Sequence, residues 1–155
     1  MRSAVLVFVL AACSQAPSAP SRVFDPCEPI NVSVTDATAA QQTSVADALS
    51  LWSARGISAF ALGDADGVDV VFTSGNPAVY GYYDDTAGIV YVNATVTDPA
   101  QRAVTIAHEL GHALGLVHVP AQVRASVMNP GNLSVDPTDG DVAAVVARWG
   151  ECPAR

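Results

Sequence analysis

Apolar and polar residues follow two different periods along this chain. From Ile30 to Val34 they alternate, with Ile and Val at every second position, which predicts a first strand. Ala39 to Ala54 is built from good helix formers, and Val45, Leu49 and Trp52 fall on one face. Asp36 or Thr38 is placed to cap that helix, and Gly56 ends it. Ile57 to Leu62, Val68 to Thr73, Val79 to Tyr83 and Ile89 to Asn93 read as four further strands. The third strand of the series, Val68 to Thr73, is apolar enough to be central, and the last two are spaced to pair antiparallel through Asp84 to Gly88. Asp98 and Pro99 open a second helix, with Gln101 in the position of a capping-box partner. Ala103, Ile106, Ala107, Leu110, Ala113 and Leu114 give it a buried stripe, and Gly115 stops it. Leu116 to Val135 has no periodicity, and a last helix runs from Asp136 or Thr138 to about Trp149. There is no internal repeat.

Composition narrows the class. A chain of 155 residues that is 50% hydrophobic has enough apolar surface for one folded domain. All seven basic residues are Arg, against fifteen acids, for a net charge of −8. Such a surface repels phosphate backbones, so no nucleic-acid partner is expected.

The N-terminus reads as a leader. Arg2 and the short apolar run from Ala4 to Leu10 are too brief to span a bilayer. Leu10-Ala11-Ala12-Cys13 resembles the lipobox of bacterial lipoproteins, with cleavage before a lipid-bearing Cys13; an ordinary signal-peptide cut near Ala12 is the alternative. The expected division is a signal peptide over residues 1–12, a lipidated Cys13 with a flexible tether over 13–26, and one catalytic domain over 27–155. Export follows either way, to the cell envelope or outer surface as a lipoprotein or into the medium. Membrane contact is expected only through the lipid. Cys27 and Cys152 remain, and in an oxidising compartment they most simply form one disulfide. Two further options are that Cys27, or Asp25, blocks a metal from a pro-segment.

The chemistry is concentrated between residues 108 and 118. All three histidines of the chain, His108, His112 and His118, lie here. His108 and His112 are four apart and share a helix face, so both can reach one ion. Gly115 permits a sharp turn that brings His118 in from another direction. Three imidazoles with one open position suit a catalytic zinc. Glu109 is offset around the helix and can act on a metal-bound water as general base without ligating. Asp64, Asp66 and Asp69 are spaced for calcium, but no Glu closes the loop, and a solvated turn is favoured.

His-Glu-Leu-Gly-His-Ala-Leu-Gly-Leu-Val-His resembles the long zinc motif of the metzincin clan of endopeptidases, and Ser126-Val127-Met128-Asn129-Pro130 resembles its Met-turn. Within the clan the chain is most similar to matrixin-like bacterial members. It departs from them at Val119, where matrixins carry Ser, and lacks further His residues for a structural zinc. No Tyr follows Met128 where other subfamilies place an extra ligand. The resemblance implies an α+β fold. It consists of a five-stranded twisted mixed sheet packed on two helices, a small lower subdomain and a C-terminal helix. It implies one catalytic zinc and an antiparallel edge strand above it, to which substrate adds as a further strand. Val79, Tyr80, Gly81 and Tyr82 are expected to contact substrate there. Asn129 and Pro130 begin the segment that lines the pocket for the residue after the cut.

The expected activity is that of a monomeric zinc endopeptidase acting on proteins or peptides. The alternative is a surface binding or adhesion module that keeps the fold without turnover.

Overall fold

The computed structural model describes residues 21–153. The expected leader, Cys13 and the first part of the tether lie outside these residues. The elements run in the order β1 (Ile30–Thr35), α1 (Ala39–Ser53), β2 (Phe60–Leu62), β3 (Gly67–Thr73), β4 (Gly81–Asp84), β5 (Ile89–Asn93), α2 (Pro99–Ala113) and α3 (Asp139–Trp149). The fold is α+β. Its five strands form one mixed sheet in the order β2-β1-β3-β5-β4. β1 pairs parallel with β2 and β3, and β3 pairs parallel with β5. β4 alone is antiparallel, paired with β5, and it forms one edge. The hairpin that reverses it is held by Asp84, whose carboxylate accepts the N–H groups of Thr86 and Ala87, and by Gly88 at φ 77°.

The core lies between the sheet and the two long helices. Val32, Val68, Val70, Val90 and Val92 from the strands meet Val45, Ala48 and Trp52 of α1 and Ile106, Ala107 and Leu110 of α2. Each fully buried aliphatic side chain of this kind contributes about 1.5–3 kcal/mol. Trp52 is wholly buried, and its ring N–H donates to the Ala107 carbonyl at 3.0 Å. That bond removes the cost of burying the indole N–H and fastens α1 to α2.

The caps follow side-chain chemistry. Thr38, not Asp36, caps α1 and forms a reciprocal box with Gln41. Asp98 accepts the Gln101 N–H at 2.9 Å, with Pro99 starting α2. Thr138 caps α3 in a box with Asp141. Arg102 is buried on α2 and donates to Ser44, Ala40 O and Val96 O, with no carboxylate partner among the described residues.

Three expectations need correction. β2 begins at Phe60, because Ile57 is still tied to the end of α1 through a bond to Trp52 O. β4 begins at Gly81, because Asn93 donates to the carbonyls of Asn76 and Val79 and holds 76–79 in a turn. Two residues assigned to the tether are packed: Phe24 lies against the core and donates its N–H to Ala113 O at 2.8 Å, and Pro26 is buried. Phe24 thereby supplies a partner for a carbonyl at the end of α2.

Cys27 and Cys152 form a disulfide across a sequence separation of 125 residues, with their Cα atoms 5.0 Å apart. Among the described residues no helix is long and apolar enough to cross a membrane.

Candidate metal centre and cleft

α2 carries two of the three imidazoles. His108 is buried, His112 half-buried and His118 exposed. Gly115, at φ 79°, turns the chain off the helix, and Leu116 donates its N–H back to Gly111 O at 2.9 Å. The strand-like segment that follows is pinned on both sides of one peptide. Val119 donates its N–H to Met128 O at 2.9 Å, and the Asn129 amide donates to Val119 O at 2.8 Å. His118 is thus held by its neighbour Val119.

The three Nε2 atoms converge. His118 Nε2 stands 3.2 Å from His108 Nε2 and 3.2 Å from His112 Nε2. The other ring nitrogens of the helical pair are engaged: His108 Nδ1 lies 2.6 Å from Val127 O, and His112 Nδ1 lies 2.9 Å from Leu116 O. A carbonyl only accepts, so each Nδ1 carries the proton and each Nε2 presents a lone pair. With His118 in the same tautomer, all three Nε2 lone pairs are free to meet a cation placed between them. Tetrahedral zinc with bonds of about 2.0–2.1 Å separates its nitrogens by about 3.3 Å, so the three imidazoles fit that ion. Burial lowers the His108 pKa to about 4, despite the opposing Val127 carbonyl, with the neighbouring imidazoles adding to the fall. Burial also lowers His112, against the pull of Leu116 O. Both effects favour the neutral, ligating form.

Glu109 is 5% exposed, so its side chain is nearly dry. Burial pushes its carboxyl up to about 8, and the Tyr83 backbone N–H partly offsets this. A cation held by the adjacent imidazoles acts in the opposite direction and favours the carboxylate. Gly81 on β4 makes room for the acid. A Cβ there would lie 3.1 Å from Glu109 Oε1 and 2.9 Å from the Thr105 methyl.

Beneath α2 lies Met128, which is 1% exposed. Gly111 lets it approach, since a Cβ at 111 would collide with the Met128 sulfur and reach Trp52 at 3.4 Å. The turn is braced by a residue that sequence reasoning missed. Asp141 of α3 is fully buried and accepts from Ser126 Oγ, Val127 N, Thr138 N and Oγ1, and Arg124. Burial alone would raise its carboxyl, but these bonds outweigh it and hold the pKa below 3.8. The available signal was Asp141 at the third position after the cap Thr138.

The imidazoles and Glu109 open into a cleft of about 550 Å³. β4 forms one wall, with Val79, Tyr80, Gly81 and Tyr82 all lining it. Pro130 lines it too, followed by Gly131 and Asn132. Asn129 does not; it is buried, and its amide is spent on Val119 O, Arg124 O and Ser126 N. Cys27 is bonded to Cys152, which removes its thiol as a metal-blocking group, and Asp25 accepts the Cys27 N–H and does not line the cleft. Asp69 accepts from Ser33 and Thr35 on the sheet.

Comparison with known proteins agrees with this architecture. Residues 64–126 match the family model Peptidase_M78, the IrrE N-terminal-like domain, and that span includes all three histidines. No curated protein sequence matches significantly. The chain resembles the solved structure of myroilysin, with a TM-score of 0.50 and 22% identity over 63% of this chain and 52% of that one. It therefore spans about half the length of myroilysin. The fold is zincin-like, and the family match supports a zinc-peptidase-like domain without singling out matrixins.

Proposed function

We propose that this protein is a zinc-dependent endopeptidase of metzincin type, with His108, His112 and His118 as ligands and Glu109 as general base. One observation carries the reading: His118 Nε2 stands 3.2 Å from the Nε2 atoms of both His108 and His112, beside a buried carboxylate, in a cleft walled by a sheet edge. The match to a peptidase family model over the same residues supports it.

Zinc, when bound, supplies a Lewis acid that acidifies a coordinated water and polarises the scissile carbonyl. The chain does the rest. Val127 O and Leu116 O fix the tautomer and orientation of two imidazoles. Glu109 accepts a proton from the attacking water and returns it to the leaving amine. β4 is the edge strand of the sheet, along which an extended peptide adds as a further strand through main-chain hydrogen bonds. Tyr80 and Tyr82 flank that edge, and Pro130 begins the wall for the residue after the cut. Substrates are proteins or peptides, and the protein acts as a monomer.

We also infer export, with Cys13 lipidated. The Cys27–Cys152 disulfide supports an oxidising compartment. Within the clan, matrixin-like members share the Ser-Val-Met-Asn-Pro segment at residues 126–130.

The test is a casein digest with and without chelator, beside metal analysis of Glu109→Ala. The variant is expected to keep zinc and to lose cleavage by at least about 100-fold. Equal cleavage by variant and parent would remove Glu109 from the role. Zinc bound without cleavage by the parent would leave a binding module with the same fold.

A further inference from the structure

We propose that Arg148 selects substrates with an acidic side chain on the N-terminal side of the cut. The proposal rests on the peptidase reading above. Arg148 stands in the last turn of α3, yet its side chain reaches back over the end of α2. Its guanidinium occupies the space that a side chain at position 115 would fill: a Cβ on Gly115 would lie 2.6 Å from its Cζ and 2.9 Å from Nη2. Gly115 thus supplies the positive φ of the turn and also leaves room for this guanidinium.

The group is exposed and lies over one aromatic ring. Its Cζ lies 5.3 Å from the centre of the Trp149 ring, and Trp149 is itself anchored by a bond from its ring N–H to Leu114 O at 2.9 Å. Among the described residues the ion pairs are Arg55 with Asp139 and Arg124 with Asp141. Arg22 donates to Ala87 O, and Arg102 is buried among carbonyls and a hydroxyl. Among the described residues Arg148 has no carboxylate partner, and no other Arg lines the cleft. In a chain of net charge −8, an unpaired fork of N–H donors beside a metal centre is an isolated positive site.

Its position gives the chemistry. Arg148 lines the cleft together with Gly115, Leu116, Val117 and His118, at the end of α2. Pro130, Gly131 and Asn132 form the wall assigned above to the residue after the cut. A substrate carboxylate reaching Arg148 belongs to a residue before it. A planar guanidinium donates two parallel hydrogen bonds to a carboxylate, and Arg148 is exposed where it lines the cleft, so a substrate side chain can reach it. A basic residue in the last turn of a helix also complements the helix dipole, but that role alone predicts no substrate preference.

The experiment uses the zinc-loaded protein and matched peptide pairs that differ only by Glu or Gln at each of the positions before the cut. The parent should favour Glu at one such position by about tenfold in kcat/KM, mostly through KM. Arg148→Gln should erase the ratio, Arg148→Glu should reverse it, and Arg148→Lys should retain part of it. The ratio is taken within each variant, so a loss of folded protein does not mimic the effect. The same pairs are then bound to Glu109→Ala and read by fluorescence anisotropy. Equal handling of Glu and Gln by the parent, a ratio that survives Arg148→Gln, or a preference located after the cut would overturn the role of Arg148 and leave the peptidase reading intact. Neither cleavage nor binding of any peptide would overturn both.

Discussion

The Asp141 carboxylate accepts the backbone N–H of Val127 at 3.0 Å, and the carbonyl of the same residue accepts Nδ1–H of His108 at 2.6 Å. A single residue of the turn thus connects a buried acid on α3 to a metal-facing imidazole on α2. The order of this region comes from fixed polar partners as well as from apolar packing.

Asp141→Ala leaves Ser126 Oγ, Val127 N–H and the Thr138 groups without their acceptor, and Arg124 without its counter-charge. The expected loss is about 3–5 kcal/mol of stability, measured by denaturant unfolding. Zinc affinity should weaken by about 10–100-fold in a competition titration, because Val127 O no longer holds His108 in place.

The same acid predicts a pH dependence. Its folded pKa lies below 3.8, so its contribution is complete above that value and is lost as pH falls through 3.8 towards the folded pKa. Unfolding free energy of the parent should decline over this acid window. In Asp141→Asn, which does not titrate there, the decline should be shallower.

Gly111→Ala should destabilise by about 1–3 kcal/mol, since the new methyl collides with the Met128 sulfur and presses on Trp52. The double variant with a smaller residue at 128, Gly111→Ala with Met128→Val, should recover part of this in a thermal melt. A single variant as stable as the parent would show that the helix and turn do not meet there.

Opening the Cys27–Cys152 bridge frees a loop spanning a 125-residue separation. On the chain-entropy scale this costs up to about 4–5 kcal/mol, and removal of a native bridge in practice costs about 2–5 kcal/mol. Cys27→Ser with Cys152→Ser should unfold at lower temperature than the oxidised parent, and reductant should lower the parent towards the variant.

Much of the sheet and of the imidazole cluster was legible because it rests on local signals. The two-residue alternation of β1, the apolar run of β3 and the four-residue spacing of His108 and His112 each report their own geometry. What was not legible depended on distant partners. Val79 looks like strand, yet the Asn93 amide holds its carbonyl in a turn. Asn129 follows the Met-turn as a pocket residue would, yet its amide is consumed by Val119 and Arg124. Phe24 sits in a Pro- and Ser-rich approach, and only the fold reveals the open carbonyl of Ala113 that it meets. Arg148 gives no local signal, because its approach to Gly115 depends on how α3 docks against the end of α2.

The central claim is that His108, His112 and His118 hold one zinc ion through Nε2. Zinc-edge X-ray absorption on the purified, zinc-loaded protein tests it most directly, with His118→Ala measured alongside. One zinc per chain is expected, with three imidazole nitrogens at about 2.0–2.1 Å, and a lost nitrogen with weakened binding in the variant. Protein that retains no zinc when supplied in excess, or a variant whose zinc shell and affinity equal those of the parent, would contradict it.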